Sequence, residues 1–313
     1  MTYSLPLFLT GLITADSYRS WLDKKSWMLF NRDRKRHRQY DSVGKRTGIV
    51  VTTLPRSAYK QKIHQAVLAN GPLDPFTGET LAWNLVHEWD PVKAKGDFSY
   101  ARRFFLLPTV DHVDPYSDAL EFEICSWLVN TCKSDLTPPA FVGLCKKIVA
   151  HRGASMQGRT PEEVYGDPAK YFLPLFLAGI CGQDVYRRWL AKRALQLFTR
   201  DRKQNRLCAL AASTSMYKQK IHEAVLAAGL LDPFTGDALA WDKIGTWNDA
   251  RARDRSGYFK KQFDLLPTVD HVDPAAASLM FEICSWLVND CKAGLSPAEF
   301  FALCQKVACK SRA

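Results

Sequence analysis

The chain has 313 residues, 47% of them hydrophobic, with a formal net charge of +11 and a pI near 9.2. That apolar content suffices for one large domain or two small ones, and no apolar run approaches the roughly 20 residues that a helix needs to span a bilayer, so a soluble protein without a membrane partner is expected. The positive balance points to a polyanion, because clustered Lys and Arg release counterions from a phosphate backbone; a basic protein that is merely soluble is the plainer alternative.

Nine cysteines without a short disulfide framework point to a reducing compartment, so a cytoplasmic location is expected. The N-terminal run Leu5 to Ile13 has the apolar character of a signal segment. It lacks a basic leader and recurs internally as Leu173 to Ile180, so it reads as structure.

This recurrence is the start of a tandem duplication. Tyr3 to Leu9 returns as Tyr171 to Leu177, and a helical pattern follows in each copy: Tyr18, Trp21, Leu22, Trp27, Met28 and Phe30, against Tyr186, Trp189, Leu190, Leu195, Leu197 and Phe198. Those apolar positions are expected in a core. The same helix ends in a basic run containing Arg32, Arg34, Lys35 and Arg36 in one copy and Arg200, Arg202 and Lys203 in the other. A basic helix end suits nucleic-acid phosphates; a solvated charged face is the other reading.

Between His37 and Ser57 the first copy carries an insertion, expected to be a surface loop. Tyr59 to His64 and Tyr217 to His222 are identical and open a helix whose buried face should hold Tyr59, Ile63, Ala66 and Val67. His64 and His222 border that face, where a lone histidine is structural by default. Asp74 to Glu79 and Asp232 to Asp237 form a Pro/Gly turn, with Trp83 and Trp241 as core anchors just beyond.

The most informative stretch comes next. Leu106 to Pro115 recurs letter for letter as Leu265 to Pro274: an apolar run ending in Asp-His and stopped by Asp-Pro, as in a short strand delivering polar side chains to a loop mouth. Phe122 to Asn130 recurs as Phe281 to Asn289. Each copy therefore offers an Asp, a His and an Asn. Asp114 and Asp273, two residues after the His, read equally as orienters of the site or as turn-formers. A closing helix begins at Thr137-Pro138-Pro139, and in the second copy at the capping box Ser296 to Glu299, burying Phe141, Leu144 and Cys145 or Phe300, Leu303 and Cys304.

Carboxylate and amide oxygens suit a hard divalent ion that keeps waters and binds phosphate, and an imidazole with an ordinary pKa near 6.5 can deprotonate water at neutral pH. Together they are a set for metal-assisted phosphodiester hydrolysis, although Asp-His is a common dipeptide that also serves as a structural pair.

The segment from Asp74 to Lys133, and again from Asp232 to Lys292, resembles the HNH endonucleases of the His-Me finger (ββα-metal) class: a leading turn near a Gly, an Asp-His pair ending the first strand, and a second strand running into a helix with an Asn ligand and a Lys three residues on. The resemblance implies His112 and His271 as general bases, Asp111, Asn130, Asp270 and Asn289 as ligands of Mg²⁺ or Mn²⁺, and Lys133 and Lys292 as phosphate contacts. Many members brace this finger with two Cys-x-x-Cys pairs on zinc. Neither pair is present here, so packing through Phe76, Trp83 and Trp127 is expected instead. Three thiols repeat (Cys125, Cys132 and Cys145; Cys284, Cys291 and Cys304), which is an incomplete zinc set; buried small hydrophobes are the expectation, and structural zinc is not.

The expected fold is therefore α+β and mostly helical, with repeat 1 over residues 1–150, a linker over 151–168 and repeat 2 over 169–313, each repeat holding one ββα-metal finger. The expected function is a metal-dependent endonuclease on double-stranded DNA with one site per repeat, so that a monomer acts as a pseudo-dimer. The alternative is a non-catalytic DNA-binding protein that keeps degenerate fingers as a scaffold.

Overall fold

The computed structural model describes residues 3–36, 38–40, 46–49, 54–94, 98–117, 119–154, 171–204, 206–247, 258–273, 276 and 278–310. Helices and small antiparallel sheets make up two compact units. The first is formed by the described residues up to Val142 together with Cys309 and Lys310, the second by the described residues between Gly143 and Ala308.

In the first unit a single 3-10 turn (Leu7–Leu9) leads into α1 (Ala15–Arg36). Its buried positions are Tyr18, Trp21, Leu22, Ser26, Leu29 and Asp33, a spacing of three and four residues that keeps one stripe facing inward. Trp27 and Met28, expected in the core, fall outside that stripe and are 57% and 49% exposed; Leu195 is likewise exposed in the second copy. Asp33 continues the buried stripe one turn beyond Leu29. Within the insertion, β1 (Arg38–Tyr40) pairs antiparallel with β2 (Arg46–Ile49).

Next comes α2 (Arg56–Asn70), whose buried residues are Tyr59, Ile63, Ala66 and Val67. His64 accepts or donates one hydrogen bond at Nδ1 with the Tyr18 hydroxyl, 2.7 Å away, and His222 does the same with Tyr186 at 2.6 Å. Both are structural ties between the long helices. Trp83 packs edge-on against Trp21 with centroids 4.9 Å apart, a contact type worth about 0.5–1.5 kcal/mol beyond its buried area.

After the short helices α3 (Pro91–Ala94) and α4 (Phe98–Arg102), the chain forms β3 (Pro108–His112), β4 (Phe122–Ser126) and α5 (Trp127–Lys133). Strands β3 and β4 pair antiparallel with Asp111 opposite Glu123 and His112 opposite Phe122. The Ser126 hydroxyl caps α5 by accepting from the Val129 amide at 3.2 Å. Helix α6 (Pro138–Ala154) closes the copy and buries Phe141, Leu144 and Cys145. It continues into the first four residues of the expected linker; residues 155–170 lie outside the described part.

The second unit repeats the order with α7 (Gln183–Lys203), α8 (Leu207–Leu210), α9 (Thr214–Ala228), α10 (Tyr258–Lys261), β5 (Pro267–His271), β6 (Phe281–Ser285), α11 (Trp286–Lys292) and α12 (Pro297–Lys310). The one-turn helix α8 stands where the first copy has its β1–β2 pair. Ser296 and Glu299 form the capping box: the Ser296 amide donates to Glu299 Oε2 at 2.9 Å and the Glu299 amide to Ser296 Oγ at 3.4 Å.

Asp74 anchors the leading turn of the first copy. Buried, it accepts at Oδ1 from the amides of Phe76 (2.8 Å) and Thr77 (2.9 Å) and at Oδ2 from the Ser126 amide (2.6 Å). Asp232 makes the same three bonds with Phe234, Thr235 and Ser285. One carboxylate thus ties the turn to the strand–helix junction, and Phe76 packs on Phe141 and Phe234 on Phe300 beside it. At Gly236, with φ +73°, a Cβ would sit 2.7 Å from the His151 ring, so the turn needs glycine both for its left-handed backbone and for this close approach.

Candidate functional site

Asp111 and His112 are consecutive on β3, so their side chains leave opposite faces of the strand. The consequence is two polar centres per copy. His112 faces α1 and α2; Asp111 faces β4 and α5.

On the histidine side, His112 Nε2 lies 3.1 Å from Asp33 Oδ2, and that same oxygen accepts from the Tyr59 hydroxyl at 3.0 Å. Arg32 Nη2 is 2.5 Å from His112 Nδ1. A guanidinium has only donors, so in this contact Nδ1 accepts, and Nε2 is the nitrogen directed at Asp33. Burial pushes the Asp33 carboxyl up, but the hydrogen bond from His112, the charge His112 carries when protonated, the Tyr59 hydroxyl and the Arg32 charge outweigh it and hold Asp33 below the usual range. The second copy is built alike: His271 Nε2 is 2.9 Å from Asp201 Oδ2, Tyr217 donates to that oxygen at 2.8 Å, and Arg200 Nη2 is 3.3 Å from His271 Nδ1.

On the carboxylate side, the Asn130 amide reaches both oxygens of Asp111 at 3.1 Å, its nitrogen donating. The His112 amide donates to Asp111 Oδ1 at 2.9 Å. Lys133 Nζ lies 2.9 Å from Asp111 Oδ2, donates to the Leu136 carbonyl at 2.7 Å and to the His112 carbonyl at 3.5 Å, and stands 3.9 Å from Glu123 Oε1. That Glu123 oxygen is buried with no hydrogen bond. Burial pushes the Glu123 carboxyl up to about 7, with Lys133 opposing and Asp111 and Asp74 adding to the rise. In the second copy Lys292 Nζ is 2.7 Å from Asp270 Oδ2 and 3.7 Å from Glu282 Oε1, and Glu282 is likewise pushed up to about 7 by burial. Asn289 turns its amide nitrogen to Thr268 Oγ1 at 3.4 Å.

The structure thus brings Asp111 and Asn130 together and sets His112 behind them on the other face of the strand. Lys133 and Lys292, expected at phosphates, are 0% and 1% exposed. A lysine so enclosed has no open face for a phosphate, and each instead sits as a cation among the carboxylates of its own copy. Of the basic helix ends, Arg32 and Arg200 reach the histidines. Arg34 and Arg202 are exposed and lie over the rings of Phe30 and Phe198; Lys203 is exposed, and the side chains of Lys35 and Arg36 lie outside the described part. Asp114 accepts from the Tyr116 amide at 2.9 Å, which makes it a turn-former.

Several members were passed over in the sequence. Asp33 and Asp201 are the lone acids of the basic runs and sit in the buried register of their helices, which is the signal that distinguishes them from solvated charge. Glu123 and Glu282 alternate with buried apolar residues on strands facing the carboxylates. Lys25 donates to Thr109 Oγ1 at 3.2 Å, and burial, then the neighbouring Lys24 charge, lower it to about 8 against an opposing pull from Cys125; Arg193 holds the matching position and is also lowered by burial.

Compared with known proteins, the chain matches no family model, no characterised protein sequence and no solved structure. No helix among the described residues is long and apolar enough to cross a membrane.

Proposed function

We propose that each repeat holds one ββα-metal centre of the HNH kind and that the chain is an endonuclease hydrolysing phosphodiester bonds in double-stranded DNA with Mg²⁺ or Mn²⁺. One observation carries the reading: each copy gathers an Asp and a Glu carboxylate beside one strand end, with Asn130 against Asp111 in the first copy, and each has a histidine backed by a buried carboxylate on that strand. The net charge of +11 suits the polyanionic substrate.

Asp111 and Asn130, or Asp270 and Asn289, would hold the ion once each amide turned its oxygen inward, and the carboxylates fit: Glu123 Oε1 and Glu282 Oε1 are buried without a hydrogen bond. When bound, the ion supplies charge for the phosphate and the leaving oxygen. The protein's own part is the proton. His112 can take one at Nδ1 once Arg32 withdraws, and the resulting imidazolium is stabilised through Nε2–H by Asp33. Arg32 is 42% exposed, and a phosphate offers it a competing bidentate acceptor. Substrate would then uncover the base in the act of binding.

The rival reading, a DNA-binding scaffold without catalysis, draws on Lys133 and Lys292, whose ammonium groups already neutralise the carboxylates an ion would use. A plasmid assay resolving supercoiled, nicked and linear forms separates the two. Under the nuclease reading the wild-type chain linearises plasmid with Mg²⁺ and not with EDTA. His112→Ala and His271→Ala each leave only nicking, because losing a general base costs about 10²–10⁴-fold, and the double variant binds without cutting. Salt-sensitive binding with no Mg²⁺-dependent cleavage by the wild-type chain would establish the scaffold instead.

A further inference from the structure

The two histidine centres share an Asp, a Tyr and an Arg, and the second adds a thiol. In the second copy Cys208, on α8, brings a buried thiol to the Asp201–His271 pair: one ligand atom each from Asp201, Cys208 and His271 lies within 4.8 Å of the others, the one such group among the described residues. The first copy has no counterpart, since no cysteine precedes Cys125 in the sequence. Cys208 is not an isolated thiol beside a carboxylate. Its Sγ is 3.6 Å from the Tyr217 hydroxyl, which itself donates to Asp201 Oδ2 at 2.8 Å, and that oxygen is 2.9 Å from His271 Nε2. Sulfur, nitrogen and carboxylate oxygen therefore lie in one buried cluster, with the Tyr217 phenol oxygen beside the thiol and the carboxylate.

The geometry points to a site for a thiophilic divalent ion, zinc being the natural one, in the second repeat only. Mixed Cys, His and carboxylate ligation suits zinc, whose bonds of about 2.0–2.3 Å put tetrahedral ligands roughly 3.5 Å apart. The Asp–His edge is already inside that distance, so the thiol alone must close in by roughly 1 Å. The charges balance: the Cys208 proton leaves to solvent, and a thiolate and a carboxylate neutralise the ion. His271 moves its proton from Nε2 to Nδ1 and frees Nε2 as a ligand. Arg200, which donates to Nδ1, must then swing out, and it is 44% exposed. Arg206 Nε, 3.5 Å from Asp201 Oδ1, stays on the carboxylate's other oxygen and lowers affinity without blocking the site. A hard ion such as Mg²⁺ gains nothing from the sulfur.

This site is independent of the Asp270–Asn289 oxygen set, which lies on the other face of the strand, and it does not rest on the nuclease reading. Should that reading hold, an ion on Nε2 sets the second histidine apart from the first, so that one finger answers to zinc and its twin does not.

The test is a Co²⁺ titration of the reduced full chain followed by visible and near-ultraviolet absorption. The wild-type protein should take one equivalent into a site showing thiolate-to-cobalt charge transfer and intense tetrahedral d–d bands, erased by Zn²⁺ and untouched by excess Mg²⁺. Cys208→Ser should lose the charge-transfer band, while Cys309→Ser, removing an exposed thiol, should keep it. His271→Ala, with Cys208 intact, serves as the second variant, and circular dichroism confirms that each is folded. A wild-type chain without the band, or a band that survives in either folded Cys208 or His271 variant, overturns the inference.

Discussion

Replacing Glu123 by Gln should change how stability depends on pH more than it changes stability itself. The Glu123 carboxyl is pushed from its ordinary 4.5 up to about 7, chiefly by burial. The folded state therefore binds this proton more tightly than the unfolded chain does, and its contribution is fully present below about pH 4.5 and lost as pH rises to about 7. At 1.36 kcal/mol per unit, the rise corresponds to about 3 kcal/mol as an order of magnitude. Glu282, also pushed up to about 7, should do the same for the second unit. A glutamine has no proton to lose, so Glu123→Gln and Glu282→Gln should each flatten the decline. Urea unfolding followed by tryptophan fluorescence at pH 5 and pH 8 reads this as a midpoint shift at constant m. Wild-type and double-variant midpoints that move in parallel between the two pH values would refute the reasoning, because the buried carboxylates would then have their protons in neither state.

Lys133→Met should destabilise the first unit by about 3–5 kcal/mol, the cost of leaving buried carboxylates without their cation, and Lys292→Met the second; a urea midpoint change no larger than that for a surface ion pair would mean the ammonium is dispensable. Arg34→Ala and Arg202→Ala, both on exposed helix ends, should weaken binding to all DNA sequences alike and reduce the slope of log affinity against log salt by up to about one unit per lost phosphate contact, with an unchanged slope assigning that face to solvent.

The repeat, the strand–strand–helix order, the buried face of α2 and the capping box were legible because each is a local pattern: periodicity, a cap or a turn residue at fixed spacing. Asp111 beside Asn130 was legible for the same reason, since one strand end and the first turn of the next helix fix their approach. What escaped the sequence depends on long-range packing. Nothing near residue 33 indicates that its carboxylate will meet a histidine 79 positions later, and the basic run around it disguised it as solvated charge. Lys133 carries the same lesson in reverse: a lysine near a helix end reads as a phosphate contact until the opposing strand closes over it. The strand pair in the insertion was missed because its polar, Gly-containing stretch has no alternation to read.

The turn braced by Asp74 and Asp232 bears on how the protein depends on its surroundings. A finger pinned by zinc borrows its rigidity from the metal supply and surrenders it to any chelator. Here the pin is a side chain, made at synthesis in fixed stoichiometry and impossible to leach. If the proposed ion serves each unit, chelation would remove it without loosening the turn, and the architecture would persist for the ion to return to.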